Sequence, residues 1–148
     1  MARRIDDVRE EQLEQIEEIE KACFSLPWTL EQLKSQMKDS QHEFIASLDD
    51  EGRVLGYVGM MYVLDEGYIS NVAVTPEARR QGIGRDLIKE LMARAAALDL
   101  AFVTLEVRCS NAAAIALYEK QGFLPVGKRK NYYDFPREDA ILMTHFLK

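Results

Sequence analysis

Cysteine is scarce in this chain, with only Cys23 and Cys109 among 148 residues. Two cysteines cannot build a disulfide framework and neither sits at metal-ligand spacing, so both read as free thiols and no metal is expected. Histidine is equally scarce: His42 and His145 stand alone in strand-like segments and read as structural. No apolar run approaches the roughly 20 residues of a membrane span. The opening MARRIDD follows its arginines with acids instead of an apolar stretch, so no secretion signal or membrane partner is expected and the anticipated compartment is the cytoplasm. Positive charge is in deficit as well. A formal net charge of −6 argues against direct nucleic-acid binding, which needs a basic face. Linkers, repeats and low-complexity segments are absent too.

What is present suits one domain over residues 1–148. Hydrophobic residues make up 47% and charged residues 30%, and a chain of this length can bury about two thirds of its unfolded surface without metals or disulfides. Six of the eleven residues from Glu10 to Glu20 are glutamates. Opposite them Leu13, Ile16, Ile19 and Cys23 recur at helical spacing, so the run reads as a solvated helix face, with an acidic rim for a cationic substrate as the alternative.

A short strand over residues 3–9 precedes that helix. Ser25-Leu26-Pro27 breaks it, and Thr29 with Gln32 forms a capping box for a second helix carrying Leu30, Leu33 and Met37. Trp28, in the break, reads either as a core anchor or as the wall of a substrate pocket. Strands are expected at Phe44–Leu48, Val54–Leu64 and Tyr68–Val74, with a hairpin turn at Asp49–Gly52. A helix through Leu87, Ile88, Leu91, Met92 and Ala95 leads to a strand over Ala101–Val107, parallel to and beside the preceding one. Ser110 is the expected N-cap of an alanine-rich helix ended by Gly122. Phe123–Asn131 and Ala140–Phe146 complete the sheet as a hairpin.

The most informative stretch is Val72 to Arg85, VAVTPEARRQGIGR, which reads as strand, turn, glycine loop and helix. Such a loop presents unpaired amides at a helix N-terminus, where the helix dipole adds positive charge, and Arg79, Arg80 and Arg85 add more. Gly82 and Gly84 are expected to permit positive φ or close approach of phosphate oxygens. Leu87 stands where a dinucleotide fingerprint needs a third glycine, and no Gly-Lys-Ser/Thr follows as in a nucleotide P-loop. Arg79-Arg80-Gln81-Gly82-Ile83-Gly84 instead resembles the R/Q-x-x-G-x-G/A signature of the GNAT superfamily of N-acetyltransferases, in which this loop binds the pyrophosphate of acetyl-coenzyme A.

Ligands of open α/β sheets lie beyond the carboxyl ends of parallel strands, here near Val74 and Val107. Glu106 lies there, next to last in an apolar strand, and Tyr118 two turns into the following helix. By residue type alone these read as a solvent-facing glutamate and a core tyrosine, or as a base and an acid. The segment LEVRCSNAAAIALYEKQGF from Leu105 to Phe123, with Arg129-Lys130-Asn131-Tyr132-Tyr133 and Glu138-Asp139-Ala140, is similar to the RimI family of ribosomal-protein-alanine N-acetyltransferases. The matches cover most of residues 69–143, and Pro27-Trp28 resembles a further family element.

The resemblance implies an α/β GNAT fold: a mixed, mostly antiparallel sheet of about 6–7 strands, splayed between the fourth and fifth, with about four helices. It implies Glu106 as general base and Tyr118 as general acid. It further implies Asn111 as a coenzyme A contact, backbone of Val72, Ala73 and Val74 aligning the acetyl-pantetheine arm, and Arg80, Gln81, Gly82, Ile83, Gly84 and Arg85 wrapping the pyrophosphate. The implied acceptor is the N-terminal alanine of a small-subunit ribosomal protein. Cys109 departs from the residue usual there and puts a thiol near the cofactor. The chemistry is plausible in magnitude. At pH 7 an α-amine of pKa near 7.7–8.0 costs about 1 kcal/mol to present neutral and a lysine nearly 5, while a tyrosine and a thiol differ by about 1.5 units, roughly 2 kcal/mol. Rival readings are acetylation of lysines or small amines, a non-catalytic acyl-coenzyme A sensor, and a ribosome-binding module using Lys128-Arg129-Lys130.

Overall fold

The structure, a computed structural model, describes residues 2–148. Its strands are β1 (Arg3–Asp7), β2 (His42–Asp49), β3 (Val54–Val63), β4 (Glu66–Val74), β5 (Phe102–Arg108), β6 (Leu124–Tyr133) and β7 (Glu138–Phe146). They form one sheet in the order β1-β2-β3-β4-β5-β7-β6, and β4–β5 is its parallel pair. The helices are α1 (Leu13–Cys23), α2 (Leu30–Lys38), α3 (Ile83–Ala97) and α4 (Ala112–Lys120), with 3-10 turns at Glu10–Gln12 and Pro76–Ala78. This is the arrangement the resemblance implied, a mixed and mostly antiparallel sheet, here of seven strands, with four helices.

Period-two alternation distributes the strands' side chains to two cores. Phe44, Ala46, Leu48, Tyr57 and Ala73 pack with Leu13, Ile16 and Ile19 of α1 and Leu33 of α2. Ile45, Val58, Met60 and Ile69 point the other way, onto Leu87, Ile88 and Leu91 of α3. Those three helix residues are fully buried, each contributing about 1.5–3 kcal/mol by leaving water. Arg94 holds α3 against the sheet through Glu43 at 3.2 Å and Asp7, and pairs at 3.0 Å with Glu90 of its own helix.

The local signals act largely as expected. Thr29 Oγ1 accepts from the Gln32 amide at 3.2 Å while Gln32 Oε1 accepts from the Thr29 amide at 2.9 Å, the reciprocal capping box that starts α2. Gly122 ends α4 at φ +91°. His145 Nδ1 lies 2.8 Å from the Gln121 carbonyl and its ring meets Phe123 edge-on, a structural role.

Three expectations are corrected. The N-cap of α4 is Asn111, not Ser110: Asn111 Oδ1 accepts from the Ala114 amide at 3.2 Å, while the Ser110 amide donates to Glu138 Oε2 at 2.6 Å. Gly84 does not serve positive φ, one of its two expected roles: it lies inside the first turn of α3, and an added Cβ would meet Leu117 at an ordinary 3.4 Å. The positive φ belongs to Gly82 at +80° and to Arg80 at +66°. Finally, the glutamates of the first helix do not all face solvent. Glu17 accepts from the Leu30 amide at 2.7 Å, and Glu20 is 1% exposed.

The feature that positions the site is the separation of β4 from β5. Only Glu66, Gly67 and Tyr68 pair with Phe102, Val103 and Thr104. Beyond them the strands diverge, leaving Ile69–Val74 and Leu105–Arg108 on opposite sides of an opening. On β4 the divergence begins at a bulge, where Gly59 pairs with Asn71 but Met60 with Ile69.

Candidate active site

A cleft of about 580 Å³ occupies that opening. Its walls come from the β4 and β5 ends, the start of α4, the Cys23–Trp28 segment and the Tyr132–Pro136 loop. The cleft brings Glu106 and Tyr118 together. Trp28 lines it too while packing against the α1–α2 core, so both readings of this residue hold.

Glu106 alternates into the cleft from β5, between the inward Leu105 and Val107. Its side chain is 5% exposed, accepts from the Tyr68 hydroxyl at 2.5 Å and pairs with Arg129 Nε at 2.8 Å. Arg129 in turn lies over the Tyr132 ring, 5.8 Å from its centroid, and remains 55% exposed. Burial and the bond to Glu106 both push the Tyr68 phenol well above its ordinary range, so Tyr68 is held as a donor. Glu106 therefore rests as a bound acceptor whose cationic partner can swing into water.

Tyr118 is buried on α4, beside Phe123. Burial alone pushes its phenol up to about 12. The gap to an ordinary thiol thus widens to about 3.5 units, or roughly 5 kcal/mol, beyond the 2 kcal/mol inferred from reference values. Arg108 fixes the facing wall: it donates to the carbonyls of Asp134 and Pro136, pairs with Glu138 at 3.2 Å and covers the Tyr133 ring at 4.5 Å.

The glycine loop adjoins β4. Gly82 caps α3 in the left-handed conformation, and its carbonyl accepts from the Asp86 amide at 3.0 Å. Among the described residues the amides of Gln81, Gly82, Ile83, Gly84 and Arg85 donate to no other group of the chain. Five free donors at the start of a 15-residue helix suit a phosphate group. Arg80 and Arg85 are exposed around the loop. Arg79 turns back along β4, donating from Nε to the Val74 carbonyl at 3.4 Å and from Nη2 to Cys23 Sγ at 3.2 Å. Val72, Ala73 and Val74 have no partner on the β5 side. Asn111 reaches the cleft while its Oδ1 caps α4.

The thiol lining the cleft is Cys23; Cys109, expected near the cofactor, is not among the lining residues. Sequence reasoning also missed Tyr68, Arg129, Asn71 and Glu20 as cleft or network residues. The Arg129–Glu106, Tyr68–Glu106 and Asn71–Glu20 contacts link positions 23, 38 and 51 apart, and no local pattern signals them. Among the described residues no cluster of metal-ligating side chains occurs, and no helix is long and apolar enough to cross a membrane.

Comparison with known proteins gives concordant results. The acetyltransferase (GNAT) family model matches residues 13–123. The putative ribosomal protein bS18-alanine N-acetyltransferase of Bacillus subtilis is 34% identical over 139 residues, covering 94% of this chain and 92% of that protein. The ribosomal protein bS18-alanine N-acetyltransferase of Escherichia coli K12 is 39% identical over 128 residues, 85% of each. The crystal structure of the ribosomal-protein-S18-alanine N-acetyltransferase from Escherichia coli matches with a TM-score of 0.92 at 34% identity, covering 99% of this chain and 95% of the other.

Proposed function

The chain belongs to the acetyltransferase (GNAT) family, and from that premise we propose that it moves acetyl from acetyl-coenzyme A directly to the N-terminal α-amine of a protein, within a ternary complex. The proposed acceptor is the N-terminal alanine of ribosomal protein bS18, the substrate named for the relatives. Residues 1–148 act as one catalytic domain in the cytoplasm, without metal and without direct contact to nucleic acid or membrane. The observation that carries the reading is the presence of Glu106 and Tyr118 in one cleft, at the separation of β4 and β5, beside a loop of free amides.

On this reading the amides of Gln81 to Arg85 hold the pyrophosphate, with Arg80 and Arg85 supplying charge at the loop and Arg79 turned back along β4 beside it. The β4 edge from Val72 to Val74 aligns the pantetheine arm, and Asn111 contacts it through its free carboxamide nitrogen. Acetyl-coenzyme A supplies the activated thioester. Glu106 takes a proton from the entering ammonium as Arg129 moves out. Arg129 is more than half exposed and regains hydration as it leaves, while the cost of parting the pair falls on the buried Glu106 and is met when that carboxylate takes the proton. Tyr118 stays protonated at pH 7 and donates to the sulfur as the carbon–sulfur bond breaks, and hydrogen bonding to the developing thiolate reduces the resting 5 kcal/mol gap.

The test is a mass-spectrometric acetylation assay with two peptides of one sequence. One has a free N-terminal alanine and blocked lysines; the other has a blocked N-terminus and free lysines. Acetylation of the first alone is expected. Modification of the second alone would move the assignment to lysine, and modification of neither, with coenzyme A bound, would move it to small amines or acyl-coenzyme A sensing.

A further inference from the structure

Glu20 breaks the pattern of its own helix. Glu14 and Glu18 face solvent, and Glu17 and Glu18 pair with Lys21. Glu20 is 1% exposed and lines the floor of the cleft. Its Oε1 accepts from the Trp28 amide at 2.8 Å; its Oε2 accepts from the Tyr57 hydroxyl and, at 3.2 Å, from Asn71 Nδ2. Among the described residues no lysine, arginine or histidine pairs with it. Three donors from three elements converge on one carboxylate, and no cation balances it.

The network ends in a second unmet requirement. A carboxylate only accepts, so Asn71 must turn its Nδ2 toward Glu20 and its Oδ1 away. That oxygen is buried and has no hydrogen-bond partner among the described residues, although Asn71 also lines the cleft. An unbalanced buried charge and an unsatisfied buried acceptor are both costly to folding, and their coincidence at a cleft marks a functional demand. The other two cleft carboxylates have counter-cations, Arg129 for Glu106 and Arg137 for Asp134. Glu20 has none, so the cleft floor is a region of negative potential in a low-dielectric setting, where a charge acts strongly on an entering group.

We propose that Glu20 is a specificity-determining residue of the acceptor site: its uncompensated carboxylate, coupled to the Trp28 wall and to Asn71 on β4, selects acceptors that enter carrying a cationic amine. The inference rests on the proposed acceptor reading and names the charge state by which that acceptor is chosen. Glu106 then removes the proton. Glu20 exchanges no proton and acts as a positioning and electrostatic group beneath the cleft surface.

The experiment measures binding without turnover, by calorimetry on the full chain saturated with coenzyme A at pH 6.5. Two peptides are compared, one beginning with alanine and one in which a propionyl group replaces that alanine, removing only the amine. The wild type is expected to prefer the amine by at least about tenfold, the low end for a close charge pair in a desolvated site. Glu20→Gln should reduce the preference to within about threefold, whereas Glu106→Gln should keep most of it. A purely structural clasp would instead weaken both peptides equally in Glu20→Gln and leave their ratio intact, which would overturn the proposal. So would a ratio that collapses only in Glu106→Gln. If Glu20→Gln does not fold, Asn71→Leu should lower the ratio part-way, and a wild-type preference under about threefold overturns the idea by itself. An unchanged ratio alongside normal acetylation of the alanyl peptide would sink this inference alone, while no acetylation of any peptide would sink the acceptor reading.

Discussion

At the glycine loop five consecutive amides, Gln81 to Arg85, donate to nothing among the described residues, whereas across the opening Glu106 accepts from Tyr68 and pairs with Arg129, which itself lies over Tyr132. The donor side is thus made of backbone held by a helix start and one left-handed glycine. The acceptor side is made of side chains held by one another. Backbone geometry survives most substitutions, while a side-chain network fails when one member changes. Changes on the acceptor side should therefore act on turnover and peptide binding, and changes on the donor side on acetyl-coenzyme A affinity, with little crossing between them.

The sharpest test is Glu106→Gln. Loss of a general base costs typically about 10²–10⁴-fold, and kcat should fall in that range while acetyl-coenzyme A binding, measured by calorimetry, stays unchanged. A matching loss of cofactor affinity would break the division between the two sides. Tyr118→Phe comes next, with a drop in kcat of about 100-fold and unchanged cofactor binding. It has a second readout. With a folded-state pKa raised to about 12 from an unfolded value near 10, Tyr118 contributes stability fully present below pH 10. Between pH 10 and 12 the unfolded chain loses the proton that the folded chain keeps, so stability falls by about 3 kcal/mol across that window. The phenylalanine variant should lose that share of the alkaline decline in a denaturation series.

The same division decides what the sequence could disclose. The donor loop is local: strand alternation through Val74, Pro76, Gly82 and the stripe from Leu87 lie within one window, so strand, loop and helix could be read in order. The capping box at Thr29 and Gln32 and the stop at Gly122 are local for the same reason. Glu20 is the contrary case. By spacing it belongs to a solvated run of glutamates, and only the approach of Tyr57 and Asn71, 37 and 51 residues away, makes it a buried acceptor. Ser110 and Gly84 show a finer limit: cap and loop were legible to within one or two residues, but which neighbour caps α4, and which glycine takes positive φ, depends on Glu138 and on the pitch of α3.

On the donor side, Gly82→Ala should raise the acetyl-coenzyme A dissociation constant by about tenfold and leave kcat at saturation near normal. A Cβ at φ +80° costs about 1–2 kcal/mol of backbone strain, which the loop can shed only by tilting its amides. The new Cβ would also lie 2.8 Å from Arg85 Nη2, but that is the end of a flexible, exposed side chain and can move. A fall in kcat larger than the loss of affinity would show that loop geometry reaches the acceptor chemistry.

Arg80→Gln should have the smallest effect. Arg80 already holds φ +66°, and glutamine keeps a comparable backbone while removing the charge, so the change isolates electrostatics from loop shape. If the amides carry the phosphate contacts, loss of one exposed guanidinium should weaken acetyl-coenzyme A by only about threefold at 0.1 M salt, where the Debye length is about 10 Å. The deficit should shrink further at 1 M salt, where the Debye length is about 3 Å, while the Gly82→Ala deficit persists because strain is not screened. An Arg80→Gln loss that exceeds the Gly82→Ala loss and survives high salt would mean that side-chain charge, not backbone, builds the donor site, and the contrast between the two walls of the cleft would fall with it.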